Sequence, residues 1–151
     1  VRKWNEWDAD ACFIDNTGGF GASWIDNLIR LGKAPIGVHF SEKSTDGQYY
    51  NKRAEMAFEC VKWIKRGGCI PDVDELKNAL TTTTYTFKGD KIILEPKEDV
   101  KERLGYSPDH MDALLLTFAL PIERHNDNPY SRTSLHQVEY NPLSRDKVLE
   151  A

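Results

Sequence analysis

Long apolar runs are missing from this chain of 151 residues. With no stretch of about 18 apolar residues, no membrane-spanning helix is expected. Cysteine is scarce as well. The three present, Cys12, Cys60 and Cys69, lie far apart and form no CxxC pair. Neither a disulfide framework nor a thiolate zinc site is indicated, and a reducing cytoplasm is the natural setting. Positive charge is not in surplus: 20 Lys and Arg stand against 24 Asp and Glu, a formal net charge of −4. That excludes a bulk polycation that coats nucleic acid. It leaves room for a nuclease, which gathers carboxylates around metal and needs only a local basic strip. The N-terminal VRKWNEWDADA is polar and has no apolar segment of a secretory signal.

What is present predicts one α/β domain, with 40% apolar and 29% charged residues. Residues 9–14 (ADACFI) predict a short buried strand ending at Asp15, followed by a glycine-rich turn. Residues 23–31 carry Trp24, Ile25, Leu28, Ile29 and Leu31 at helical spacing, and Gly32 closes them. Residues 35–40 (PIGVHF) predict a second strand, so this βαβ order calls for neighbouring parallel strands. Residues 50–66 predict the longest helix, with Ala54, Ala57, Phe58, Val61 and Ile64 on one face. Asp72 or Asp74 is expected to cap a short helix through Leu80. Residues 83–87 and 91–94 predict a hairpin around Lys88-Gly89-Asp90, and 97–103 a short charged helix. Ser107-Pro108 supplies a capping hydroxyl and a proline for the first helical position, opening a helix that should run to Leu120. The aromatics Trp24, Phe58 and Trp63 are expected in the core. Residues 1–122 are thus expected to form the domain. The polar, aperiodic residues 123–151 are expected as an extended or disordered tail.

The glycine-rich turn in FIDNTGGFGASWID fails as a phosphate loop. A Walker A loop requires Gly-Lys-Ser/Thr, and no lysine is present here. A dinucleotide fingerprint requires a small residue where Trp24 stands. Asp15 then has two readings: an Asx turn after a strand, or a metal ligand at a strand's carboxyl end, where open α/β sheets place their sites. Partners for the second reading exist in SPDHMDALLLTFA. Asp109 and Asp112, three apart, share one helix face. Asp109 suits a first turn on dipole grounds alone. Asp112 abuts the apolar run 113–116, where a carboxylate risks desolvation and requires a cation. Carboxylates from a strand end and a helix start suit hard Mg²⁺ or Mn²⁺. Taken as a crowded acidic site, the set also predicts that Asp15→Asn or Asp112→Asn leaves metal-free stability unchanged or raised.

FIDNTGGFGASWID, YYNKRAEM and LEPKEDVKERLGYSPDHMDALLLTFALP, in that order, resemble the nuclease domain of tailed-phage terminase large subunits, the DNA-packaging motors. The resemblance runs from about Asp10 to Pro121. It implies an RNase H-like (RuvC-type) mixed sheet flanked by helices, with an added β-hairpin. It implies an endonuclease that cuts concatemeric double-stranded DNA with two Mg²⁺ or Mn²⁺ ions. By position, Asp15 matches the acid after the family's central strand, Asp112 the acid on the last helix, and Asp109 an auxiliary metal position one turn earlier. The family's first catalytic aspartate lies on an upstream strand. The chain is therefore expected to be a C-terminal fragment without the first strands, and to cleave poorly or not at all alone. The implied partners are the portal protein, the small terminase subunit and an ATPase domain in cis, at work in the host cytoplasm. For DNA contact, Lys52 and Arg53 open the long helix, with a solvated helix face as the alternative. Lys97, Lys101 and Arg103 precede the acidic helix and are placed to meet a phosphate. The rival readings are a RuvC-like junction resolvase and a non-catalytic fragment that binds DNA or the portal.

Overall fold

The computed structural model describes residues 1–123, so the expected tail lies, from residue 124 on, outside the described residues. The N-terminus forms a short helix the sequence pattern did not announce, α1 (Arg2–Glu6). The Ala9 N–H turns back to the Trp4 carbonyl at 3.1 Å, and pairing with the second strand begins where the Cys12 carbonyl accepts the Ile36 N–H at 2.8 Å. The first strand is accordingly short, β1 (Phe13–Asp15). A 3-10 turn (Thr17–Gly19) leads to α2 (Ala22–Arg30) and then to β2 (Ile36–Val38). β1 and β2 pair in parallel with Phe13 opposite Ile36 and Asp15 opposite Val38. Gly21 permits this tight return: a Cβ there would stand 2.4 Å from the Asp15 carbonyl oxygen.

The second half adds helices and a hairpin. α3 (Lys52–Lys65) is capped by Asn51, whose side chain accepts the Ala54 N–H at 3.0 Å. α4 (Asp74–Thr82) begins after Val73 without a side-chain cap. The expected cap residues Asp72 and Asp74 instead pair with Lys77, each at 2.7 Å. β3 (Tyr85–Lys88) and β4 (Lys91–Leu94) form the predicted hairpin. Its two-residue loop has a positive φ only at Gly89, the first loop position, as a II′ turn requires. Tyr49 bridges β4 at Ile92 in parallel sense, so the pairing is mixed. α5 (Lys97–Leu104) ends on Gly105 in the left-handed region.

The last helix, α6 (Asp109–Leu116), packs on α3, α4 and β1. Met56, Cys60, Met111 and Leu115 are the centre of the core where these elements meet. Two expectations for α6 are corrected. The Ser107 hydroxyl donates to the Asp109 carboxylate at 2.6 Å rather than capping the backbone. The helix also stops at Leu116, because Thr117, Phe118 and Ala119 bond three residues back and tighten the pitch before Pro121. The expected core aromatics are corrected as well. Trp24 is 67% exposed and α2 buries none of its residues, while Trp63 lies at the surface against Phe118. No described helix is long and apolar enough to cross a membrane.

Candidate metal centre

Asp15 ends β1 at the carboxyl edge of the parallel pair. Its Oδ1 accepts the Thr17 N–H at 2.9 Å, so the Asx turn is present. Among the described residues its other oxygen receives no hydrogen bond, and the residue is exposed. Thr17 in turn accepts the Phe40 N–H at 2.9 Å, and the Asn16 N–H donates to the Val38 carbonyl at 2.8 Å. These bonds tie the two strand ends together. They leave the Asn16 Oδ1 buried without a partner.

α6 packs against β1 and carries Asp109 and Asp112. Asp112 is only 7% exposed, between Met111 and the apolar run that the core holds. The cation it requires comes from two directions. The Lys97 Nζ stands 2.7 Å from Oδ2, and the Arg53 Nε 3.6 Å from Oδ1. Neither oxygen receives a well-directed hydrogen bond, so this pairing rests on charge rather than on geometry. Lys97 also reaches Asp109 at 3.0 Å and thus spans both acids of α6. Burial alone would lower the Lys97 pKa, but the Asp112 and Asp109 carboxylates outweigh it and raise it. Asp109, exposed, is held below the ordinary carboxylate range by the Ser107 hydroxyl and Lys97.

The expected DNA-contact residues divide sharply. Lys52 and Arg53 are buried, at 9% and 8% exposure, and so do not form a solvated helix face. Lys52 pairs with Glu55 at 2.8 Å, and Arg53 donates to the Glu95 carbonyl at 3.0 Å while facing Asp112. Arg103 is drawn to Glu95 and to the Thr82 carbonyl. Lys101 is exposed. Arg53 is the residue whose place the sequence reading missed. No periodicity relates it to Asp112, and only a basic residue near the start of a packed helix hinted at it.

Among the described residues no group of three or more His, Cys, Asp or Glu side chains is arranged to hold an ion by itself. The pair on α6 nevertheless takes a cation, since an ammonium already spans it and the Asp112 oxygens lack hydrogen bonds. Carboxylate-only donors fit a hard divalent ion as a partial ligand set, to be completed by water or a phosphate oxygen.

No protein-family model and no curated protein matches the chain. Solved structures do. A point mutant of the nuclease domain of the large terminase subunit of bacterial virus Sf6, solved with manganese, has a TM-score of 0.64 at 21% identity, covering 80% of this chain and 70% of that one. The mutant with calcium gives 0.63 and the nuclease domain of the same subunit 0.62, both at 21% identity over 80% of this chain and 69% of theirs. The likeness establishes the fold: the chain has the RNase H-like α/β architecture of those nuclease domains.

Proposed function

We propose that this chain is the nuclease part of a large terminase subunit, a metal-dependent endonuclease acting on double-stranded DNA. The observation that carries this reading is Asp112. A buried carboxylate without hydrogen bonds is costly unless cations hold it, and here both nearby cations do so imperfectly. The fold that it shares with nuclease domains solved with manganese and calcium supports the same reading. Asp15, Asp109 and Asp112 are the ligands proposed, of which only the α6 pair stands assembled among the described residues, with Mg²⁺ or Mn²⁺ as the ions.

Held by these carboxylates, two divalent ions would supply an activated water and a clamp on the leaving oxygen of a phosphodiester. The chain's own residues prepare the place. Arg53 on α3 holds Asp112, while Lys97 competes with an ion for both acids of α6. Residues 1–122 form the nuclease body. Concatemeric viral DNA is the substrate, the portal protein and small terminase subunit are partners, and an ATPase domain acts in cis, in the host cytoplasm.

The test is Mn²⁺ titration by calorimetry together with plasmid nicking, on the chain and on Asp112→Asn. Weak Mn²⁺ binding and slow metal-dependent nicking, both lost in the variant, are expected. Unchanged Mn²⁺ binding in Asp112→Asn would remove this site from the mechanism.

A further inference from the structure

A second feature of the described residues is not absorbed by the acidic site. Ser41, Lys43, Tyr50 and Lys91 line an open depression of about 350 Å³. Lys88 joins it through Tyr50, donating to its hydroxyl at 2.8 Å with the ammonium 4.2 Å from the ring centre. Lys88 and Lys91 are direct cross-strand partners beside the hairpin turn. Like charges placed opposite one another destabilise a hairpin. Among the described residues none of the three lysines has a carboxylate partner, although Glu42 and Asp90 adjoin Lys43 and Lys91 in sequence. An acidic chain thus gathers Lys43, Lys91 and two hydroxyls around one hollow, with Lys88 at its edge on the Tyr50 ring.

The hollow also lies at a telling place. Ser41 follows Phe40, whose N–H is bonded to Thr17, two residues beyond Asp15. Tyr50 precedes the start of α3, whose Arg53 faces Asp112. The depression therefore belongs to the same end of the strands as the candidate metal centre. We propose that Ser41, Lys43, Tyr50, Lys88 and Lys91 form a phosphodiester-backbone site, which holds the DNA strand away from the scissile bond. An open groove with separated lysines fits a passing polyanion better than an enclosed small anion. This rests on the nuclease reading for its ligand.

The test is fluorescence anisotropy of a labelled duplex in EDTA, so that cleavage plays no part, over a range of salt. Lys43→Gln/Lys91→Gln should weaken binding about tenfold and lower the slope of log affinity against log salt by about 1.8, two lysines at about 0.9 each. Lys65→Gln, an exposed lysine on the far end of α3, should change the slope little. Removing Lys91 also relieves its repulsion with Lys88, so thermal stability should hold or rise while binding falls, which excludes unfolding as the cause. Inorganic phosphate at millimolar concentration should compete only weakly. Duplex binding with an unaltered slope in the double variant would overturn the proposal, and so would stoichiometric phosphate binding without an effect on duplex. Metal-dependent nicking judges the nuclease reading separately: nicking that persists alongside an unaltered slope sinks the backbone site alone.

Discussion

At Asp112 a single substitution separates structure from chemistry. An acid-crowded site would gain stability on losing a charge, but the structure surrounds this carboxylate with Lys97 and Arg53 instead. Asp112→Asn leaves the buried Arg53 guanidinium facing a neutral group, and removing one member of a buried pair is destabilising. Asp112→Asn should therefore cost about 1–3 kcal/mol in urea unfolding without metal, which reverses the expectation drawn from sequence. Asp15→Asn should cost little, because an asparagine oxygen still accepts the Thr17 N–H. Both should abolish metal-dependent cleavage. Equal stabilities for the two variants would mean that the Arg53 pairing contributes nothing.

Among the elements, the loop between β2 and α3 depends on one buried acid. The Glu55 carboxylate accepts from the Ser44 hydroxyl at 2.6 Å, the Thr45 N–H at 2.8 Å, the Thr45 hydroxyl at 2.7 Å and the Lys52 ammonium at 2.8 Å. Burial pushes its pKa up, but Lys52, Ser44 and Thr45 outweigh that and hold it at about 2, against an ordinary 4.5. A depressed acid stabilises the fold fully above its unfolded value and loses that contribution as pH falls through the folded one. Stability should therefore drop between about pH 5 and pH 2, by up to about 3 kcal/mol from this group. Glu55→Gln should lower stability at pH 7 and flatten that acid limb in urea titrations. An acid limb of unchanged steepness would show that other carboxylates carry it. Because the loop holds Ser41, Lys43 and Tyr50, Glu55→Gln should also weaken duplex binding.

On the scale of the whole molecule, several large apolar side chains of the described residues are exposed. α2 has an apolar stripe, yet Trp24, Ile29 and Leu31 are exposed, as are Phe20 and Trp7 nearby in sequence. Large apolar side chains left exposed to water promote association. Sedimentation velocity at rising concentration should show reversible self-association, which Trp24→Gln with Ile29→Gln diminishes. A wild-type chain that stays monomeric at high concentration would remove this reading.

Local chemistry was legible in the residue order. Helical spacing marked α2, α3 and α6, Lys88-Gly89-Asp90 marked the hairpin, and Asp15 after an apolar run marked the strand end. These features depend on neighbours a few residues away, within reach of periodicity and turn rules. The need of Asp112 for a cation was legible too, because its apolar flank is contiguous with it. Which cation answers was not. Lys97 and Arg53 come from other helices, and only the packing of α6 on α3, together with the place of α5 beside it, makes them neighbours. The same packing decided that Lys52 and Arg53 are buried rather than presented to solvent, while α2, which buries none of its residues, leaves Trp24 exposed. Burial is a property of what packs on a face, and no local pattern contains the partner.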